Sequence, residues 1–564
     1  SMKKTFIALC ALVALSAQAQ EDNGITLSGS IQSDMLVFPE DDPEIGTNYG
    51  TNKDFLTNTY AELHLQSKYV SAGARLEYME NPLPGFEKGF AGWGVPHMYI
   101  KGSFKGAELT LGDFYDQFGS GLIFRTYEER ALGIDNSLRG ARLALRPSKG
   151  VSLKLLGGQQ REYWHSRGFN DNNPLVTGAD LEINVDQYSK KMQEKNIYLT
   201  LGVSGVMKFE DQENMQKNHN GVPCKLKLPQ EVGAFDVRAN LQAGNYNFLA
   251  EYAWKSQDPS EDNKYIYRHG NTLLLSGSYS KKGFSALLQA KRTEDMSFRS
   301  KRSQTGTARF INHLPAFSTQ HTYALAALYP YATQNALGEW AFQGEVGYNF
   351  KRNTLLGGKY GTKVKLNASH VRGIDRKPLA GVTDVMGTEG YKTSFFKMGN
   401  ETYYQDINLS VEKKLTKDFK FNLMYMNQRY NQFVIEGHGN TFTSNIFIAE
   451  GKWNISKKVA LRGEAQYLTT SGDQGDWAYG LLELSVLPGF MFTVSDMYNA
   501  NVPNADGTAT SAQHFYNVGG CYTYKAHRLQ VAYGKTRAGF NCSGGVCRYV
   551  PASKGFTVSY NFNF

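Results

Sequence analysis

The C-terminal residues 556–564 read FTVSYNFNF and alternate without interruption between two kinds of side chain. The apolar set consists of Phe556, Val558, Tyr560, Phe562 and Phe564. The polar set consists of Thr557, Ser559, Asn561 and Asn563. Because successive side chains of a β-strand point to opposite faces, this period of two predicts a strand with one apolar face and one polar face.

The same alternation recurs along the chain. In one stretch, apolar side chains occupy every second position: Tyr246, Phe248, Ala250, Tyr252 and Trp254. The positions between them include Asn247, Glu251 and Lys255. Charge on one face only indicates that this face meets water while the other is apolar.

The N-terminal residues have the features of an export signal. Lys3 and Lys4 precede an apolar run at 6–15, and Ala-Gln-Ala follows at 17–19. This pattern predicts a signal peptide over 1–19 that is cleaved before Gln20. The remainder, 20–564, is expected to form a single domain in an exported protein.

The composition favours a membrane barrel. Beyond the signal, no segment approaches the ~20 apolar residues of a membrane helix, yet the chain contains 34 Tyr, 33 Phe and 57 Gly but 16 Pro and 5 Cys. In a barrel wall only every second residue meets lipid, so average hydropathy stays low. A large secreted β-sandwich or propeller is the alternative, but no repeat period supports it. The predicted fold is all-β: a transmembrane, antiparallel, up-and-down β-barrel of the bacterial outer membrane.

Short turns and longer polar connections alternate along the sequence, as in such barrels. Short turns are indicated at 104–106, 147–149, 243–245, 281–283, 416–418, 456–458, 487–489 and 525–527. The pattern predicts about 24 strands, an even number between roughly 20 and 26. The stretch 323–329 (YALAALY) fits either half a strand or part of a loop. A first strand at 26–37 would leave no room for an N-terminal plug domain.

The densest charged stretch is 113–142, in which Gly119 and Gly121 allow the backbone to bend. Both signs of charge crowd together there: Arg125, Glu128, Glu129, Arg130, Asp135, Arg139 and Arg142. Folded into the lumen, such a loop would form a constriction with a transverse field, or a plug. An ordinary surface loop is the alternative.

Four segments together resemble one family. They are 113–142, 324–334 (ALAALYPYATQ), 355–363 (LLGGKYGTK) and the aromatic C-terminus. They are similar to an uncharacterised, porin-like family of outer-membrane β-barrel proteins of Bacteroidota. The resemblance implies one large barrel in the outer membrane and supplies no catalytic residue. It also implies a possible role as a subunit of an outer-membrane complex.

The cysteines suggest one disulfide. Cys542 and Cys547 are close in sequence and are expected in an oxidising compartment, which favours a bond between them. A second bond between Cys224 and Cys521 is less favoured. No histidine pair lies near these thiols at zinc spacing, so neither a metal site nor a cofactor is predicted.

Basic residues cluster in a connection expected on the outer surface: Arg292, Arg299, Lys301, Arg302 and Arg309. They would bind lipopolysaccharide phosphates or an acidic partner, or form a solvated loop. The whole chain carries 61 Lys+Arg against 52 Asp+Glu, a net charge of +9. This excess is too diffuse to indicate nucleic-acid binding.

Three functions remain open at this stage. The first is a porin-like passive channel for polar solutes in the outer membrane. The second is a non-catalytic barrel subunit or scaffold of a secretion or barrel-assembly complex that docks lipoproteins. The least favoured is a hydrolase, because His64, His97 and His370 lack a serine or carboxylate at a telling spacing. Expected partners are outer-membrane lipid, lipopolysaccharide, and periplasmic chaperones and the barrel-assembly machinery through the C-terminal strand.

Overall fold

The computed structural model describes residues 24–50, 54–162, 172–219 and 222–564. The predicted signal peptide and its cleavage site lie outside these residues and stay a prediction. One sheet of 24 strands forms the wall. Numbered in chain order, these are β1 (Thr26–Val37), β2 (Phe55–Gln66), β3 (Val70–Met79), β4 (Gly92–Phe104), β5 (Ala107–Phe114), β6 (Leu138–Ser148), β7 (Val151–Gln160), β8 (Leu175–Asn184), β9 (Ile197–Phe209), β10 (Glu231–Ala243), β11 (Tyr246–Lys255), β12 (Gly270–Lys281), β13 (Phe284–Glu294), β14 (Glu339–Phe350), β15 (Thr362–Ile374), β16 (Met398–Lys414), β17 (Phe419–Asn431), β18 (Thr441–Asn454), β19 (Val459–Thr470), β20 (Trp477–Val486), β21 (Phe490–Pro503), β22 (Thr510–Tyr524), β23 (His527–Thr536) and β24 (Ser553–Asn563).

The sheet closes on itself. Each wall strand pairs antiparallel with the next strand in the chain, and β24 also pairs with β1, where Phe556 lies opposite Val37. Closure removes every free sheet edge, which lets a sheet exist in lipid. The predicted all-β barrel of about 24 strands is confirmed. The stretch 323–329 belongs to a loop and not to the wall.

The two ends of the barrel differ. At one end, here the short-turn end, most connections are brief, as at 105–106, 149–150 and 244–245. At the other, the long-loop end, the connections include 115–137, 295–338, 375–397 and 537–552. The long loops carry small hairpins, namely Glu128–Glu129 with Ile134–Asp135, Gln216–His219 with Val222–Lys225, Lys377–Pro378 with Tyr391–Lys392, and Gly539–Ser543 with Val546–Val550.

Helical structure is confined to connections. The helical segments are Lys88–Phe90, Arg130–Leu132, Val185–Tyr188, Lys190–Glu194, Glu261–Asn263 and Gln432–Glu436. Within the described residues, no helix is both long and apolar enough to cross a membrane.

The two faces of the wall differ in chemistry. Leu288 is 72% exposed on the outer face, and outward neighbours on β14 and β15, Val346 and Leu366, are exposed as well. The intervening positions, such as Gln289 and Gln343, turn inward and hydrogen-bond to each other. At these positions the outer face is therefore apolar and the inner face polar, as the alternation predicts.

Candidate functional site: a plug of two loops in the lumen

Two long loops fold back into the barrel at the long-loop end. We call 115–137 the first plug segment, 295–338 the second plug segment, and both together the plug. Phe118 and Phe124 of the first segment and Phe298 and Leu325 of the second are all 0% exposed. They belong to one hydrophobic core inside the barrel.

Wall strands from most of the circumference contribute inward side chains to this core. They include Phe114, Leu138, Leu156, Val176, Val206, Val232, Ala253, Leu274, Ala341, Val371, Tyr404, Met426, Ile446, Leu468, Trp477 and Phe515. An apolar core that touches so many strands replaces water with protein atoms. The half of the lumen near the long-loop end is therefore filled by the plug.

Glycines let the first plug segment approach the wall. Gly119 has a φ of 52° and Gly121 a φ of 91°, in the left-handed region that favours glycine. A Cβ on Gly119 would lie 2.6 Å from Oε1 of Glu251 on β11 and 2.7 Å from Cδ of Arg238 on β10. The next backbone amide, that of Ser120, donates to the Glu251 carboxylate at 3.2 Å.

An ion-pair network holds the other half of the first segment. Arg75 of β3 contacts Glu77 at 2.9 Å, Glu128 at 3.0 Å and also Asp135. Arg161, just after β7, contacts Glu77 at 3.0 Å and Asp135 at 2.5 Å. Arg75 and Glu77 are 3% and 1% exposed. Each buried charge in this network therefore lies beside an opposite charge, which burial requires.

Arg130 ties the same segment to β1 and β2. It donates to Glu62 at 2.6 Å and to Gln32 at 2.8 Å, and its guanidinium lies 4.1 Å from the centre of the Tyr60 ring. Burial alone would raise the pKa of Asp135, but Arg161 and Arg75 hold it well below its usual range. Asp135 is therefore charged at neutral pH and attracts both arginines.

Two other predicted plug residues act locally. Arg125 lies 4.2 Å over the Tyr127 ring, and its backbone amide donates to the carbonyl oxygen of Ile311 at 2.7 Å. That bond joins the two plug segments. The Glu129 carboxylate accepts from the backbone amide of Ala131 at 3.3 Å and so caps a helical turn.

The structure corrects the sequence prediction for Arg139 and Arg142. Both lie on wall strand β6 and not in the infolded loop. Arg142 does face the lumen and reaches the first segment at Asp116 (2.5 Å). Arg139 lies on the opposite face and pairs with Asp113 of β5 at 2.7 Å. The prediction is wrong for Arg139, since odd and even positions of a strand point to opposite sides.

Three lysines of alternate wall strands anchor the second plug segment. They are fully buried and lie on β9, β11 and β13. Lys208, Lys255 and Lys291 donate to backbone carbonyls of the segment, respectively those of Arg299 (2.9 Å), Ser297 (2.6 Å) and Pro315 (2.5 Å). These bonds fix the path of the loop backbone independently of its side chains.

The second segment then crosses the lumen to the strands on the far side. Its contacts with the wall there pair His321 with Asp406 (2.6 Å), Tyr323 with Asn422 (2.7 Å), and the Leu325 amide with Gln466 (2.9 Å). These partners lie on β16, β17 and β19. The segment therefore bridges the barrel from one side to the other.

The predicted basic surface loop is wrong for most of its members. Arg299, Arg302 and Arg309 are 5%, 0% and 7% exposed, inside the plug. Arg302 pairs with Glu210 at 3.1 Å and Arg299 with Asp262 at 2.6 Å. The acidic partners are distant in sequence, so the loop is not the solvated basic cluster that its local composition indicates.

The remaining two members differ. Lys301 is half-buried, with its Nζ 3.7 Å from Glu162. Arg292 lies on β13, is 1% exposed, and turns to the outer face of the wall, where it contacts Phe395 at 4.3 Å. It is therefore separate from the plug.

A disulfide hairpin covers the plug. Cys542 and Cys547 are bonded to each other. The Gly545 carbonyl accepts from the Thr333 amide at 2.9 Å, and Arg548 donates to the Ala131 carbonyl at 2.8 Å. The hairpin thus contacts both plug segments.

The less favoured pairing of Cys224 with Cys521 is not formed, and both are free thiols. Cys224 lies in an exposed hairpin at the long-loop end. Cys521 lies near the short-turn end of β22, opposite Gln530. The two ends of the barrel keep the thiols apart.

The short-turn half of the lumen has a different character. Its inward charges are partly open to solvent: Arg462 contacts Glu483 at 3.2 Å, with side chains 27% and 20% exposed. Lys365 contacts Glu345 at 3.1 Å, with side chains 51% and 27% exposed. We call this wet half the vestibule.

Sequence reasoning missed the second plug segment. The signal was present, because a long connection that contains the apolar run 323–329 must bury that run somewhere. Among the described residues, no group of three or more His, Cys, Asp or Glu side chains is arranged to hold a metal ion.

Comparison with known sequences identifies a family. The sequence matches, over residues 2–564, the model of a family described as "Family of unknown function (DUF6029)". A search of curated proteins found no match.

Solved structures that are similar to this chain include a receptor, a translocation pore and OccAB3. The siderophore receptor PirA from Pseudomonas aeruginosa is 9% identical, with a TM-score of 0.40 over 95% of this chain and 80% of that chain. The translocation pore of the P pilus usher PapC is 11% identical, with a TM-score of 0.42 over 96% and 99%. OccAB3 from Acinetobacter baumannii is 10% identical, with a TM-score of 0.34 over 96% and 99%. Such low identities describe architecture and assign no activity.

Proposed function

We propose that this chain, which belongs to the DUF6029 family of unknown function, is a non-catalytic outer-membrane barrel that acts as a gated channel for polar solutes. The observation that carries the proposal is the division of the lumen into a wet, charged vestibule and a dry plug. The plug closes the path at rest, and solutes pass when it rearranges. This adds a moving plug to the porin-like passive channel that the sequence favoured.

The outer face supports the location. Its exposed apolar side chains would meet lipid, and aromatic residues such as Tyr246, Tyr348 and Tyr522 stand near the short turns. Aromatic side chains collect at the borders of the hydrocarbon layer. In outer-membrane barrels the short turns face the periplasm and the longer loops face outside. The vestibule would then open to the periplasm and the plug would face the medium.

The vestibule supports passage of polar solutes. Its inner surface carries both signs of charge, as in the contact of Arg462 with Glu483 and that of Lys365 with Glu345. A lumen lined by fixed charges of both signs suits hydrated polar solutes and excludes apolar ones.

The plug supports gating because both segments are wall loops tethered at each end. The first runs from β5 to β6 and the second from β13 to β14. A tethered loop cannot leave the barrel, but it can shift against the wall. Opening therefore requires local displacement of a plug segment, and the partly exposed ion pairs of the first segment, such as that of Arg130 with Glu62, are contacts that water already reaches.

Planar-bilayer recording tests the proposal. The wild-type protein should show little steady conductance. A variant in which a short Gly-Ser linker replaces 299–334 should conduct strongly, since the loop that bridges the lumen is gone. The matched control shortens 379–390, in a loop that lies on the outer wall, and should stay closed. A folded plug-deletion barrel that remains silent, or a wide steady conductance in the wild type, would contradict gating by the plug.

A second candidate is a subunit of an outer-membrane complex, for instance one that docks lipoproteins. It is favoured by large apolar side chains exposed in loops at the long-loop end, such as Phe396 (83%) and Phe433 (63%). Mild detergent extraction from native membranes followed by size analysis tests it. A barrel that always migrates alone is not a stable subunit.

A further inference from the structure

An arginine-rich patch lies on the outer face of the wall near the long-loop end. Arg292, Trp340 and Arg372 stand side by side in one row, because Arg292 pairs with Trp340 and Trp340 with Arg372 across β13, β14 and β15. The row faces outward, since Leu288 and Val346 lie on the same faces of their strands and are exposed. Two arginines on a face that is otherwise apolar need a partner.

Loops add two more arginines to this patch. The guanidinium groups of Arg268 and Arg376 each lie 4.0 Å from the centre of the Tyr391 ring, and that of Arg292 lies 4.3 Å from the Phe395 ring. We call Arg268, Arg292, Arg372 and Arg376 the outer-wall arginine cluster. Aromatic rings hold the guanidinium planes in place, and part of each N–H edge donates to the protein, as from Arg268 to the Tyr391 carbonyl at 2.7 Å and from Arg376 to the Leu337 carbonyl at 3.3 Å. Arg376 is exposed and Arg372 half-buried, so their remaining N–H groups are the ones that a ligand can reach.

The acidic partners do not balance the cluster. Glu294 accepts from Arg268 at 2.5 Å and from Arg292 at 2.7 Å. Asp375 lies 3.7 Å from Lys397. One carboxylate is thus shared by two arginines while the other faces a lysine, which leaves the cluster positive.

Several buried donors in this patch have no acceptor. Within the described residues, Nε of Arg292, Nε of Arg372, Nε1 of Trp340 and the Tyr391 hydroxyl lack a hydrogen-bond partner. Buried donors without partners are rare in folded proteins. Their concentration at one place points to a ligand that is rich in acceptor oxygens and carries negative charge.

An apolar groove continues from the cluster along the same strands. It has a volume of about 1000 Å³ and runs over Ala290, Gly344 and Ala368, whose small side chains make it deep. These residues lie on the outer face, two or four positions from Arg292, Trp340 and Arg372 toward the middle of the wall. The arginine cluster lies near the long-loop end and the apolar groove lies nearer the middle of the wall. This arrangement matches an amphiphile with an anionic head and acyl chains.

We propose that the arginine cluster and the groove form a binding site for lipid A, the phosphorylated and acylated glycolipid of lipopolysaccharide. Its phosphates contact the arginines, and an acyl chain lies in the groove. The proposal rests on the outer-membrane location within the proposed function, because the long-loop end then faces the leaflet that holds this lipid. Guanidinium binds phosphate oxygens with paired, charge-assisted hydrogen bonds.

Lipid binding to the full-length barrel in phosphatidylcholine nanodiscs tests the site. The probes are lipid A, its dephosphorylated form and phosphatidylglycerol, with native mass spectrometry as the readout. Lipid A should bind at least ~10-fold more tightly than either of the others, because only it has both phosphates and several acyl chains. Equal binding of the dephosphorylated form, or of phosphatidylglycerol, would overturn the proposal.

Paired variants locate the site. Arg268→Gln with Arg376→Gln should weaken lipid A binding by ~10-fold or more, since both residues lie in loops, and Glu294 of the wall keeps its contact with Arg292 at 2.7 Å when Arg268 is replaced. Lys225→Gln with Lys227→Gln removes the same charge from exposed positions in another loop at this end and should change nothing. Equal effects of the two pairs would mean nonspecific charge attraction and refute the site.

A second pair of variants tests the groove. A Cβ on Gly344 meets no atom closer than 3.9 Å, so Gly344→Leu fills the groove without a clash in the wall. Gly480→Leu is the matched control in a second apolar groove, where the nearest atom is 4.0 Å away. Loss of binding in the first variant alone is expected, and unchanged binding there would remove the acyl-chain part. None of these readouts depends on conductance, so the channel proposal and the lipid site fail separately, and membrane fractionation tests the location they share.

Discussion

The two plug segments occupy the same half of the lumen and are held by different forces. The first segment joins the shared apolar core through Phe118 and is fixed over its other half by ion pairs to Arg75, with Asp135 at the centre. The second is fixed by buried apolar side chains such as Phe298 and by lysine-to-carbonyl bonds along its backbone, and its ion pairs, such as that of Arg302, are almost fully buried. Salt weakens ion pairs that are partly exposed, as several of the first segment are, and acts much less on buried pairs and apolar contacts.

This difference predicts how the plug opens. Ions and a solute that carries charge compete for the partners of the first segment, but they have no such access to the core of the second. We therefore expect the first segment to move first and the second to act as the fixed part of the gate. Four measurements sharpen or break this contrast.

The largest effect is expected from Phe298→Ala in the second segment. Phe298 is 0% exposed and sits among Lys208 and Lys255, each 5.8 Å from its ring centre. Removing a buried aromatic ring should cost roughly 3–5 kcal/mol of local stability. Hydrogen exchange across 295–338 should rise, and conductance should increase. Phe396→Ala, the same change at an exposed site, is the control and should have no effect on either.

Asp135→Asn in the first segment should have the next largest effect. The change leaves Arg75 and Arg161 buried with less negative charge around them, which costs on the order of 3 kcal/mol. Hydrogen exchange should rise in 115–137 and not in 295–338. Moving wild-type protein from low salt to 1 M salt should act in the same direction but more weakly, because the Debye length falls to about 3 Å and screens the partly exposed pair of Arg130 with Glu62 more than the buried pairs of Asp135.

The control for that variant is Asp506→Asn, an exposed carboxylate in the loop between β21 and β22. It should leave both segments unchanged. If salt loosened the two segments equally, the contrast between ionic and apolar anchoring would be wrong.

The sequence predicted the wall well because the wall is a local pattern. Alternation in 556–564 indicates directly which side chains face outward, and turn length indicates which end of the barrel is which. The charged density of 113–142 favoured an infolded loop over a surface loop. The end of this loop was harder to locate from the sequence. Strand β6 begins at Leu138, so Arg139 belongs to a strand, and the alternation of side chains in that strand directs it away from the lumen.

The second segment was hidden because its partners are distant. An apolar run such as 323–329 fits half a strand as well as a buried loop, and periodicity alone does not separate the two. The local sequence indicates a surface cation at Arg302, because its partner Glu210 is 92 residues away in sequence. Pairings of that kind form only when the barrel closes, and a short stretch of sequence carries no information about them.

Two groups in the second segment should give it opposite responses to acid. Burial lowers the pKa of His313 from 6.5 to about 3, so a detached segment takes up this proton first and docking weakens as pH falls below 6.5. Burial raises the pKa of Asp295 from 3.8 to about 6, so the docked segment takes up that proton first and docking strengthens between pH 6 and 3.8. By pH 4, each group changes the free energy of docking by about 2–3 kcal/mol, in opposite directions.

Single substitutions separate these contributions. His313→Gln should leave the segment docking more tightly at pH 4 than at pH 7, and Asp295→Asn should leave it docking less tightly. Hydrogen exchange of 295–338 at the two pH values is the measurement, corrected for intrinsic exchange rates. Variants that shift in the same direction would show that the two side chains are not both buried when the plug is closed.

The smallest effect is expected from the disulfide hairpin that covers both segments. Cys542→Ser with Cys547→Ser opens a short loop, and loss of that closure should cost about 2 kcal/mol within the hairpin. Only part of this loss of stability reaches the plug, through the hydrogen bonds from Thr333 to Gly545 and from Arg548 to Ala131. Conductance should rise slightly, with faster exchange at Thr333 than at Leu325, because Leu325 is held by the wall at Gln466. Cys224→Ser, a free and exposed thiol, is the control. A hairpin variant that conducted as strongly as Phe298→Ala would make the hairpin, and not the apolar core, the main restraint on the second segment.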